Sequence, residues 1–167
     1  MSPFIVLLFF PLVLASFRLK VDSLEITSPS IQSGQPIPIK YTLYGDNISP
    51  EMHISNIPAE TQSLALILED PDAVSGTWVH YLVKNIPNDL TVVKENVSPG
   101  VEMMNSFGYS HYGGPRPPQG SGIHRYFWRF YALDEEKMTA NSAQEFRKEV
   151  DEHKVAEGFL MGTYEKI

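Results

Sequence analysis

The stretch "LEDPDAVSGTWVHYLV", residues 68–83, decides how this chain is read. An apolar run ends in Glu69-Asp70-Pro71-Asp72. A short turn follows, and a second apolar run opens with Trp78-Val79-His80. Asp and Pro are favoured in turns, so the stretch reads as strand, turn, strand. The segment just before it, "SLALILE" (63–69), is almost continuously apolar, which marks a central strand buried on both faces. The same stretch raises a functional question. It sets two carboxylates at one strand end and an imidazole near the start of the next.

Outward from it, short extended segments alternate with Gly-, Pro-, Asn-, Asp- and Ser-rich punctuation. "SLEIT" (23–27) is apolar at Leu24 and Ile26. "PIPIKYTL" (36–43) puts Ile37, Ile39, Tyr41 and Leu43 on one face of an expected strand. In "WVHYLVKNIP" (78–87), period two places Trp78, His80 and Leu82 on one face and Val79, Tyr81 and Val83 on the other. "HRYFWRFYALD" (124–134) aligns His124, Tyr126, Trp128 and Phe130 in the same way. The expectation is an all-β sandwich with long loops. The helical signal lies near the C-terminus. Ser142 stands three residues before Glu145 at capping-box spacing, with Phe146 and Val150 on one face. A second short helix is expected near Val155 to Leu160.

The chain has 167 residues, a length suited to one domain with a core that needs no disulfide. A formal charge of −7 speaks against nucleic-acid binding through phosphate neutralisation and against a polybasic membrane surface. There is no cysteine, so thiol nucleophiles and thiolate metal ligands are excluded. "MSPFIVLLFFPLVLAS" (1–16) reads as a signal peptide or apolar leader, followed by a single domain over 17–167. It is shorter than the ~20 apolar residues of a spanning helix, so no stable transmembrane span is expected. A cleaved leader implies a secreted or periplasmic protein; an intact one implies a cytoplasmic protein.

Asp70, Asp72, His80 and His124 all fall near strand ends, and three chemistries suit them. Two Asp and two His could hold zinc or iron, although no tight ligand motif is present. A His oriented by an Asp could serve hydrolysis. Ser75 and Ser121 lie in loops, but neither occupies a Gly-x-Ser-x-Gly elbow, and no triad is legible. An anion pocket needs only imidazole N–H donors, an Asp to fix a tautomer, and loop N–H groups. Taken singly, Asp70-Pro71-Asp72 reads as a turn and His80 as a core histidine. Arg125 reads as an ion-pair partner. His53 and His111 have no acidic neighbour in that reading, and His153 lies on a solvated helix face. The loop "NSFGYSHYGGPRPPQGSGIH" (105–124) is long and rich in Pro, Gly and aromatics, which favours an ordered wall of a functional site.

Several separated motifs then resemble the phosphatidylethanolamine-binding protein family, also called Raf kinase inhibitor-like proteins, in its bacterial and archaeal branch. They are "DPDA" (70–73), "WVHYLVKNIP" (78–87), "YGGPRPPQG" (112–120) and "HRYFWRFYALD" (124–134), supported by "GDNISPEMHISNIP" (45–58) and "AEGFLMGTYEK" (156–166). The resemblance implies a sandwich of two antiparallel sheets with a few peripheral helices, mainly C-terminal. It implies a small anion pocket at one end, formed by Asp70, Asp72, His80, Gly114, Pro118, His124 and Tyr126. Val74 departs from the proline usual at that position, and Arg116 from a small residue or Cys. The expected protein is a non-enzymatic binder of a phosphate-bearing or carboxylate ligand, a lipid headgroup included, with no cofactor or metal. The alternatives are a protease or kinase inhibitor acting through the pocket rim, and a metal-dependent hydrolase.

Overall fold

The computed structural model describes residues 22–167; the expected leader over 1–16 lies outside them. The apolar run at 63–69 forms the strand around which the rest assembles. In chain order the elements are β1 (Asp22–Ser23), β2 (Glu25–Thr27), a 3-10 turn (Ile39–Tyr41), β3 (Met52–Ser55), β4 (Ser63–Asp70) and β5 (Trp78–Pro87). After them come β6 (Val92–Val93), β7 (Val101–Glu102), β8 (His124–Leu133), α1 (Ala143–His153) and β9 (Lys154–Tyr164). The large sheet has the order β1-β9-β8-β4-β5-β7, so β4 is internal and its apolar run is needed on both faces. The small sheet has the order β2-β3-β6. Pairing is antiparallel except at one edge, where β1 runs parallel to β9.

Leu64, Leu66 and Leu68 of β4 face the small sheet, in a core that holds Trp128, Phe130, Met52 and Ile54. Ala65 and Ile67 face the other way, into a second core closed by Phe146 and Val150 of α1. Burying each of these two helix side chains stabilises the fold by roughly 1.5–3 kcal/mol. The helix starts where capping predicts: the Ser142 side chain accepts a hydrogen bond from Glu145 N at 3.2 Å. β9 follows α1 without a linker. No helix of the described residues is long and apolar enough to cross a membrane.

Three local expectations fail. Residues 155–160 are strand, not helix. Ala156, Gly158, Leu160 and Gly162 alternate inward along β9 in a period of two. Segment 36–43 is not a strand. Pro36 and Pro38 lack N–H donors, and Pro38 opens the 3-10 turn, where Tyr41 N donates to Pro38 O at 3.0 Å. Ile37 and Tyr41 are buried there while Ile39 is exposed. In β5 the strict alternation breaks. Leu68 pairs with Tyr81 and Glu69 with Val79, which leaves His80 as the extra residue of a bulge. A second irregularity lies between the Leu64–Ile86 and Leu66–Val83 pairs. As a result Val79 and Leu82 share the helix-side core, while Tyr81 and Val83 enter the inter-sheet core.

Candidate functional site

The bulge re-aims His80. Its ring lies edge-on to Phe107 and to Tyr126, with centroids 5.3 and 5.2 Å away. Nδ1–H donates to Gly113 O at 2.7 Å and to Gly114 O at 3.1 Å. That fixes the tautomer, so Nε2 of the neutral ring is left as a lone pair. Burial pushes the pKa of His80 below its usual value, with the Gly113 carbonyl opposing the shift.

The carbonyls that hold His80 belong to the Gly-Pro loop, which lies directly on the chain at Tyr41–Thr42. A Cβ on Gly114 would overlap the Tyr41 carbonyl, so only glycine permits this approach. Gly114 N donates to Asn47 Oδ1 at 2.8 Å, and Leu43 N donates to Pro115 O at 3.0 Å. Asn105 ties the start of the same loop, with its Nδ2 donating to His80 O and His111 O. The long loop is therefore an ordered wall.

The strand-end carboxylates take different roles. Asp70 is buried, and its Oδ2 accepts from His124 Nδ1 at 2.7 Å. Its Oδ1 accepts from Asp72 N at 2.8 Å and closes the turn without the proline that Val74 replaces. Asp72 itself is clamped by Arg125. Oδ2 accepts from Arg125 N at 2.9 Å and Nε at 2.8 Å, and Oδ1 accepts from Nη2 at 2.7 Å. The guanidinium pulls the Asp72 carboxyl down to about 2. Its charge is thus neutralised beside the site.

These groups surround a cavity of about 340 Å³. Asp70, His80, Arg116 and His124 make its polar end. Ala73, Val74, Trp78, Phe107, Pro117 and Pro118 make an apolar wall. Of the residues picked from sequence, Asp70, His80, Pro118 and His124 line this cavity, whereas Asp72, Gly114 and Tyr126 do not. Asp72 braces the turn, Gly114 supports His80, and Tyr126 packs beneath it. The Tyr126 hydroxyl is buried without a partner among the described residues, and burial raises its pKa. Among the described residues, no cluster of three or more His, Asp or Glu is placed to hold a metal ion.

Sequence reasoning set aside residues that the fold brings in. Trp78, expected on one strand face with His80, forms part of the cavity wall. Phe107 lies edge-on to His80 and stacks on Tyr109. Ser121, dismissed for want of an elbow motif, lies with Oγ 3.0 Å from His124 Nε2. The signal for it was local: Ser121 stands between two glycines, three residues before His124. The other histidines stay outside. His53 does have an acidic neighbour, contrary to expectation, with Nε2 2.7 Å from Glu51 Oε1 two residues away. His111 stacks on Tyr109, and His153 pairs with Asp134.

The chain as a whole is similar to known proteins. Residues 27–165 match the family model described as phosphatidylethanolamine-binding protein. A UPF0098 protein of Methanothermobacter thermautotrophicus is 40% identical over 139 residues, covering 78% of this chain and 91% of that protein. The crystal structure of CT736, a phosphatidylethanolamine-binding protein homologue of Chlamydia trachomatis, superposes with a TM-score of 0.80 at 34% identity. It covers 87% of this chain and 99% of its own. Escherichia coli YbcL, a member of the mammalian family, gives a TM-score of 0.81 at 28% identity with the same coverage.

Proposed function

The chain belongs to the phosphatidylethanolamine-binding protein family, and on that premise we propose that it is a binding protein whose cavity takes a small phosphate-bearing or carboxylate ligand. One observation carries this reading: His80, His124 and Arg116 line one apolar-walled cavity, and the nearby carboxylates are already engaged. Asp70 is hydrogen-bonded to His124 and Asp72 is ion-paired with Arg125, so both carboxylates already have partners when an anion arrives. Arg116 supplies donors, and His80 and His124 become further donors when an anion draws a proton onto Nε2. The walls of Trp78, Phe107 and the prolines exclude water and strengthen these bonds. They also accept the apolar part of a larger ligand, and a phosphatidylethanolamine-type headgroup falls within this class.

Titration with acetate and, separately, phosphoethanolamine tests the reading by following histidine ring resonances. Saturable shifts at His80 and His124 are expected, with His53 and His153 unmoved. If both ligands leave His80 and His124 unchanged, the cavity is not the binding site.

A further inference from the structure

We propose that Ser121 is a nucleophile, activated by His124 and oriented through Asp70, that accepts the acyl group of small carboxylic esters. The three side chains form an unbroken relay. Ser121 Oγ lies 3.0 Å from His124 Nε2, and His124 Nδ1 lies 2.7 Å from Asp70 Oδ2. Both distances fall in the range that lets a base accept a hydroxyl proton while a third group holds its tautomer. His124 and Asp70 are buried, and their pairing is shielded from water; Ser121 is exposed and open to substrate. A hydroxyl in this setting differs from an ordinary surface serine because its base is pre-positioned.

The backbone presents Ser121 on a tight turn. Gly120 and Gly122 both have positive φ, at 78° and 86°, a conformation that side-chain-bearing residues rarely adopt. Gly120 N donates to Lys166 O, which ties the turn to the chain end. A purely structural role would have the hydroxyl satisfy the Pro118 carbonyl, 2.7 Å away. That carbonyl already accepts from Ser121 N at 3.1 Å. The hydroxyl proton is therefore free to turn from Pro118 O to His124 Nε2 without orphaning an acceptor. The N–H of Gly122, the residue after the nucleophile, is bonded to no other group among the described residues. It can donate to a developing oxyanion, and Arg116, which lines the neighbouring cavity, adds positive charge nearby. Ser121 itself does not line the cavity, but His124 does, so the apolar wall of Val74, Trp78 and Phe107 lies beside the relay and suits a short acyl chain.

The chemistry balances with water as the only co-reactant. Ser121 Oγ bonds to the ester carbonyl carbon as His124 Nε2 takes the hydroxyl proton. The bond from carbon to the leaving oxygen breaks, and that oxygen takes the proton from His124 and departs as an alcohol. Water then adds to the acyl carbon and gives a proton to His124. The bond to Ser121 breaks, Oγ regains the proton, and a carboxylic acid is released.

A fluorophosphonate, whose phosphorus takes the place of the ester carbonyl and whose fluoride departs, tests the nucleophile directly when the adduct is located by peptide mass spectrometry. The expected result is one adduct per chain, on Ser121, formed at least about 100-fold faster than at Ser121 in the urea-unfolded protein. The rate should fall by a similar factor in His124→Gln and should rise with pH as a base loses one proton. Turnover of p-nitrophenyl acetate should disappear in Ser121→Ala, an exposed change that leaves the core intact. An adduct absent from Ser121, or formed equally fast in the unfolded chain, overturns the proposal. So does ester turnover that survives in Ser121→Ala. If His124→Gln does not fold, the wild-type pH profile decides, and a flat profile overturns the proposal.

Discussion

His80 shows how one residue can be both a packed side chain and a ligand group. Its Nδ1 is bonded to the Gly113 and Gly114 carbonyls, and burial holds it neutral by lowering its pKa below the ordinary 6.5. The sign of the consequence follows. An unfolded chain takes up this proton more readily than the folded one, so stability contributed by neutral His80 declines as pH falls below about 6.5. A bound anion reverses the preference by favouring the imidazolium. Affinity for acetate, which stays ionised over this range, should therefore rise roughly threefold to tenfold between pH 8 and pH 6. Calorimetry in buffers of different ionisation heat should register proton uptake. In His80→Gln the dependence should flatten, and an unchanged slope would assign the proton to another group. Sequence identified the histidine and the two aspartates as residues of interest. It could not divide their labour, because Asp70 and Asp72 differ only in which partner the fold brings, His124 or Arg125.

At the scale of elements, β9 and the bulge in β5 carry the lesson. The helix expected near Val155 to Leu160 is strand, and Gly158 within it disfavours a helix by about 1 kcal/mol relative to alanine. Alternation of Ala156, Gly158, Leu160 and Gly162 is the sequence signal for this strand. Gly158 is fixed by packing rather than by its own dihedral freedom, because a Cβ there would overlap the Leu24 carbonyl. Leu24 N in turn donates to Glu157 O at 2.9 Å, so the two segments cannot easily part. Gly158→Ala should cost more than about 2 kcal/mol, read as a lower urea midpoint. A loss within about 0.5 kcal/mol would mean that this approach is not tight. The bulge at His80 had no such signal. Its cause is the pairing of β5 with β4, and a strict period of two is the correct expectation until a partner strand imposes a slip.

Across the whole molecule, one core joins residues of both sheets. Ile26, Met52 and Ile54 from the small sheet pack with Leu64, Leu66, Trp128 and Phe130 from the large one. A three-stranded sheet of such short strands has no second core to retain it once this contact opens. Unfolding should therefore be a single transition. Tryptophan fluorescence, which reports the buried Trp128 and the cavity residue Trp78, should coincide in urea with far-ultraviolet circular dichroism. Separate midpoints would show that the sheets unfold independently. The sequence by itself determined the β-rich class, the doubly buried central strand, the capped helix and the set of candidate site residues. These depend on side-chain periodicity and local turn chemistry, which neighbouring residues encode. Only the tertiary structure decided that His80 sits on a bulge and that Asp72 belongs to Arg125. It alone brought Ser121 and Asp70 to opposite nitrogens of one imidazole, because Asp70 and His124 are 54 residues apart and meet only when β4 and β8 pair.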